Sequence, residues 1–252
     1  DLSDSALEKI LPFSTDLELR ERYINFFNGL RLGKLLEDLD LIAGQVAYRH
    51  TEGWERGMTI VTAACDRIDL LGELRSDRDL QLLSSINWVG RSSIEVGVKI
   101  SSKEGDSWKR VARAYFIMVA RREGKAEKVN SLEAVSKNEQ RRFRESEQRQ
   151  QERRSISQTN YLNNTPTAEE SQVLHELFLQ IKKGEVAGVS MENSIRQSTL
   201  LMHPQSRNVH DNIFGGYLMR EAFELAWNIT YLYCKQKPKF ISMDHMYFYK
   251  PV

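Results

Sequence analysis

The sequence predicts an α+β protein in which one unit, a long helix followed by antiparallel strands, occurs twice. Three observations carry this. Leu32, Leu35, Leu36, Leu39, Ile42, Ala43 and Val46 recur at helical spacing. A second run with the same character holds Leu218, Met219, Ala222, Phe223, Ala226 and Trp227. Each run is followed by a β-rich stretch with a shared pattern, Asp66-Arg67-Ile68 in the first and Asp244-His245-Met246 in the second. Gly33 and Gly216 lie 183 residues apart and the two aspartates 178, so the intervening loop is five residues shorter in the second copy. A period this long points to tandem duplication and not to a solenoid.

Residues 1–13 form a polar lead-in around Ile10-Leu11-Pro12, and Leu19–Phe27 reads as a short helix rich in charge and aromatics. The first long helix follows, with a clean apolar face. Asp40 is the anomaly in it, because it shares a stripe with Leu36, Ala43 and Ala47. A carboxylate on such a stripe has a partner or a chemical role. Asp38 aligns instead with Lys34, Leu41 and Gln45, which places it towards solvent. Thr59–Leu71 is strand-like, Ser84–Ile100 alternates at period two, and Arg110–Arg121 is a further strand. A helix followed by three or more strands without intervening helices describes one helix wrapped by a curved sheet.

Glu123–Pro166 reads as a charged linker whose Gln140–Arg154 segment is a solvated helix spanning two units. Glu145, Glu147 and Glu152 dilute its positive charge, which argues against a nucleic-acid arm. Thr167-Ala168-Glu169-Glu170 is a capping box that opens a helix with Val173, Leu174, Leu177, Phe178 and Ile181 on one face, closed by Gly184. Val189–Leu201 is expected to be the first strand of the second unit. Asn208–Asn212 leads to Gly215-Gly216, where unpaired N–H groups at a helix start suit a developing oxyanion. The same glycine pair also suits a plain tight entry turn. Lys239–Val252 is the strand after this helix, and the expected second unit then lacks the strands that would complete its sheet. The division is 1–122, first unit; 123–166, linker; 167–252, second unit.

Composition bounds the function. Lys and Arg total 36 against 35 Asp and Glu, and a net charge of +1 gives no electrostatic case for nucleic acid or an anionic membrane. No apolar run approaches a membrane span. Cys65 and Cys234 are expected to be buried free thiols, since a metal site needs more ligands at tighter spacing. The sequence itself gives no cellular address.

Several blocks carry a family resemblance: R-L-G-K-L-L-E-D-L-D at 31–40, W-V-G-R-S-S-I-E-V at 88–96, M-E-N-S at 191–194, and the long block 203–227 with N-I-F-G-G at its centre. D-H-M-Y-F-Y-K-P-V at the end adds to them. The chain resembles the double hotdog acyl-coenzyme A thioesterases, and within them the mitochondrial type nine branch. The resemblance implies a tandem hotdog fold, hydrolysis of fatty acyl-CoA thioesters, no cofactor or metal, a mitochondrial location and a homo-oligomer, a trimer of double hotdogs. It implies a site between units, in which Asp40 matches the family aspartate and Asn212 the asparagine that precedes the partner helix. Gly215 and Gly216 lie beside them, and Val89-Gly90-Arg91 matches the segment close to the pantetheine arm, although a strand-entry turn accounts equally for these three.

The two copies, compared with each other, add an asymmetry. The 183-residue offset puts Phe223 at the place of Asp40 and Gly29 at the place of Asn212, so a second, pseudo-symmetric pocket is expected to be catalytically dead. Asp40 acting as base on water and Asp40 attacking directly both remain open. The competing readings are a non-catalytic acyl-binding or scaffold subunit of a larger mitochondrial assembly, and a hydratase. The hydratase needs a His–Asp dyad, and the five histidines appear scattered without one.

Overall fold

The computed structural model describes residues 5–159, 164–185, 188–208 and 211–248. Strand β1 (Leu7–Leu11) and helix α1 (Leu17–Glu21) precede the long helix α2 (Leu32–Thr51). Four strands follow: β2 (Thr59–Leu70), β3 (Leu80–Val89), β4 (Ser93–Glu104) and β5 (Ser107–Arg122), with a two-residue β6 (Lys125–Ala126) pairing back onto β5. Then come α3 (Lys137–Thr159), α4 (Ala168–Lys183), α5 (Met191–Ser194), α6 (Gly215–Cys234) and β7 (Ser242–Tyr247).

One antiparallel sheet runs in the order β1-β3-β4-β5-β2-β7. The apolar stripe of α2 lies on one face of it, where Leu35, Leu36, Leu39, Ile42 and Val46 meet Ile60, Ile86, Ile94, Val96, Val98 and Phe116 in a single core. Helix α6 packs against α2, and Met219 joins the same core. Strand β7 extends the sheet beyond β2, with Arg67 opposite Asp244.

The duplication is visible in backbone detail. Both long helices have 20 residues, and both end in a left-handed residue, Glu52 and Lys235, whose N–H bonds Tyr48 and Tyr231. The loops before them match as well. Asn25 and Asn208 each donate a backbone N–H to the carbonyl four residues on, of Gly29 (2.9 Å) and Asn212 (2.7 Å). Their side-chain oxygens accept the N–H of those same residues at 3.1 and 3.3 Å. Asn28 and Asp211 hold the left-handed corner, at φ 59° and 60°.

Four expectations need correction. Residues 7–11 are not lead-in but an edge strand registered on β3. Among the described residues Val189–Leu201 contains the short α5 and no strand. Its Met191 is 83% exposed, and no neighbouring ladder takes its backbone. The capping box of Thr167 forms as read, and the apolar face of α4 that it introduces is solvent-exposed. Helix α3 is not a solvated spanner: Arg142 reaches Ser85 at 3.0 Å, Arg149 reaches Glu95 at 2.5 Å and Arg153 reaches Asp66 at 2.6 Å. Long arginine stems let a polar helix cover a sheet while their heads pair with carboxylates buried there. Finally, Cys65 is buried but Cys234, the last residue of α6, is exposed.

Candidate functional site

Asp40 sits in the middle of α2, 2% exposed. Its Oδ1 accepts the hydroxyl of Thr62 on β2 at 2.7 Å, and its carboxylate accepts the backbone N–H of Gly216 at the start of α6. The absence of side chains at the glycine pair permits this approach. A Cβ on Gly215 would stand 3.2 Å from Asp40 Oδ2, and one on Gly216 would stand 2.9 Å from the Cα of Glu37. Beside it, Arg220 of α6 bonds Glu37 of α2 at 2.6 Å, and these two positions are themselves 183 residues apart. They mark the axis about which the units are related.

Burial pushes the carboxyl of Asp40 up to about 6, while the Thr62 and Gly216 hydrogen bonds act the other way. The group is therefore largely ionised at neutral pH and still basic enough to take a proton. The Gly216 N–H, expected to face an oxyanion, is directed at Asp40. Gly215 occupies the first helical position, where α6 offers its N–H no acceptor. Asn212 stands three residues before α6, half-buried, in the duplicated loop. In the other copy of that loop the same position is Gly29, so the frame is shared and only one side carries an amide.

Val89, Gly90 and Arg91 form the β3–β4 hairpin turn, closed by Gly90 N–H to the Ser93 carbonyl at 2.8 Å. Cross-strand register joins this turn to the site: Thr62 pairs with Met118, Met118 with Ile94, and Ile94 with Val89. The turn thus lies at the same end of the sheet as Thr62, three strand spacings or about 14 Å away.

Sequence reading missed Thr62. Its signal was available: it interrupts an apolar strand, T-I-V-T-A-A-C, on the side that meets Asp40. Asp38 was also misplaced, for it is 8% exposed and accepts both the Tyr23 hydroxyl and the Lys9 ammonium, the latter at 2.7 Å. Strand β1 and the loop after α1 cover that side of α2. A His–Asp pair does exist, with His245 Nδ1 3.2 Å from Asp66 Oδ1. Asp66 faces α3 and is ion-paired with Arg153, so the pair belongs to the opposite side of the sheet from Asp40. Among the described residues no group of three or more His, Cys, Asp or Glu is arranged to hold a metal ion.

Residues 24–109 match the thioesterase superfamily. The chain is 36% identical over its whole length to acyl-coenzyme A thioesterase 9, mitochondrial, of Homo sapiens, and it spans 61% of that relative's length. It is 34% identical, over 99% of its length and 61% of the relative's, to acyl-coenzyme A thioesterase 2, chloroplastic, of Humulus lupulus. A solved apo-hexameric acyl-CoA thioesterase superposes on 63% of the chain with a TM-score of 0.53 at 24% identity, covering 97% of that structure.

Proposed function

We propose that the chain is a hotdog acyl-coenzyme A thioesterase and hydrolyses fatty acyl-CoA thioesters to the free acid and CoA. The observation that carries the reading is the arrangement around Asp40: a buried carboxylate held between Thr62 of one unit and the α6 N-terminus of the other. Asp40 takes a proton from water as the water oxygen attacks the thioester carbonyl carbon. Charge gathering on the carbonyl oxygen is met by the positive end of α6, with the Gly215 N–H as donor, while the Gly216 N–H fixes Asp40. Asn212 orients the water or the carbonyl. The carbon–sulfur bond then breaks and CoA leaves as its thiol once the sulfur is protonated.

In this reading residues 1–122 and 167–252 are the two hotdog units and 123–166 joins them. Val89, Gly90 and Arg91 flank the pantetheine arm. The protein works in mitochondria, as the named human relative does, and assembles as a trimer of double hotdogs. The hexameric state of the solved thioesterase supports an oligomeric assembly.

The test is turnover of a long-chain acyl-CoA by the purified chain across pH. Rate is expected to rise through about pH 6, as Asp40 loses its proton. In Asp40→Asn it is expected to fall by ~10²-fold or more, the usual worth of one acid–base group. Unchanged turnover in a folded Asp40→Asn protein overturns the assignment.

A further inference from the structure

A wide open cleft lies away from Asp40. A cleft of about 1160 Å³ opens at the pseudo-symmetric place, lined among others by Gly29, Gly33, Leu71, Phe223, Trp227 and Phe240. Its correspondence to the Asp40 site is residue by residue. Phe223 takes the place of Asp40 by the helix offset, and Phe240 takes the place of Thr62 by the 178-residue strand offset. Where Thr62 donates to Asp40 at 2.7 Å, Phe223 and Phe240 meet edge to face with ring centroids 5.4 Å apart. A hydroxyl–carboxylate hydrogen bond in one copy is thus an aromatic pair in the other. Gly29 in place of Asn212 removes the amide at that position, and the Asn25 side chain of the same loop is held by the backbone of Phe27, Gly29 and Leu30.

The rest of the cleft fits an amphiphile. Its half-buried carboxylate, Glu224, is neutralised by a two-point contact with Arg31 at 2.8 and 3.0 Å. At the mouth Lys237 and Lys239 are exposed, and among the described residues neither is in an ion pair. Lys237 stands 5.1 Å above the Phe27 ring, which with Phe26, Trp227 and Tyr231 forms an aromatic wall. Glu73 is the one exposed acid on the rim, so the mouth is net positive. Apolar walls within and unpaired cations at the entrance match an acyl chain with an anionic head.

We propose that this second cleft is a non-hydrolytic binding site for such a molecule, either the intact long-chain acyl-CoA or the free fatty acid it yields. The ligand class rests on the thioesterase reading above, whereas the existence of a second site does not. Phe223 and Phe240 stand where Asp40 and Thr62 meet in the other copy, and the Glu224 carboxylate is tied to Arg31, so a bound thioester stays intact. The duplication has left one cleft that cuts and one that holds.

Calorimetric titration of the purified chain with the non-hydrolysable hexadecyl thioether of CoA, and separately with palmitate, tests this. Two binding events per chain are expected for the thioether if acyl-CoA is the ligand; a second event with palmitate alone assigns the cleft to the free acid. Charge reversal at the exposed mouth, Lys237→Glu with Lys239→Glu, is expected to weaken only the second event, by about tenfold or more, and to leave turnover unchanged. Asp40→Asn is expected to abolish turnover and keep both events. A single event per chain with both probes overturns the proposal, as does a second event indifferent to the charge reversal. Absence of turnover in the unmodified protein would instead overturn the thioesterase reading and leave the count of sites standing.

Discussion

Two aspartates on one helix turn, Asp38 and Asp40, are both buried, and their surroundings separate them. Asp40 gains two neutral donors, which do not offset its loss of water, and its carboxyl rises to about 6. The native state therefore holds its proton to higher pH than the unfolded chain does. Between the ordinary aspartate value near 4 and about pH 6, stability falls as pH rises, and the full penalty persists above that. Asp40→Asn is expected to stabilise the protein near pH 8 by up to about 3 kcal/mol. Denaturant unfolding of both forms at pH 5 and pH 8 checks this, and the gain must be larger at pH 8. Asp38 instead accepts a tyrosine hydroxyl and a lysine ammonium that tie α2 to Tyr23 and β1. Solvent exposure would have made Asp38→Asn neutral. The structure makes it a stability variant, losing about 1–3 kcal/mol, with turnover per folded molecule kept. Equal loss of turnover at the two positions would mean that the site has been centred on the wrong carboxylate.

Elements meet here where side chains are absent. The N-terminus of α6 approaches α2 because Gly216 presents no Cβ to Glu37. Gly216→Ala forces backbone against backbone, and the helices must part or shift. The expected cost is about 1–3 kcal/mol of stability, together with a drop in turnover, since the same shift withdraws the N–H from Asp40. Thermal unfolding and steady-state kinetics on one preparation report both. Helix α3 works the other way, through length of side chain. Its Arg153 and Arg149 reach Asp66 and Glu95, which are 2% and 0% exposed. Arg153→Met leaves Asp66 buried without its strongest partner, and a loss of about 3–5 kcal/mol is expected. Arg144→Met, on the exposed side of the same helix, serves as control and is expected to fall within about 0.5 kcal/mol of the parent.

At the scale of the whole molecule, the two units share one sheet and one core. Strand β7 pairs with β2, α6 packs on α2, and Glu37 meets Arg220 across the axis. The proposed composite site is a consequence, because neither unit holds both the Asp40 carboxylate and the helix start that faces it. Beyond this core the apolar face of α4, with Val173, Leu174, Leu177 and Phe178, is left uncovered among the described residues. A stripe of that size favours association. Light scattering at micromolar concentration is expected to give three times the chain mass of 29.2 kDa. A monomer mass would remove the trimer.

By itself the sequence determined what repeats along the chain. Helical spacing specifies the buried stripes of α2 and α6, and the fixed offsets bring out the matched caps, loops and strands, because these depend on residues near one another in sequence. It also singled out Asp40, a carboxylate on an apolar stripe, and Asn212 by resemblance. What lies over each face was decided only in three dimensions. Period alone cannot say that Lys9 and Tyr23 reach Asp38, that Thr62 reaches Asp40, or that a helix as polar as α3 ends on buried carboxylates. Those pairs join residues 15 to 87 positions apart, and their energies come from burial that no single segment possesses. The strand expected at 189–201, as the first of the second unit, failed for the same reason: only a neighbouring edge that accepts its hydrogen bonds makes a strand.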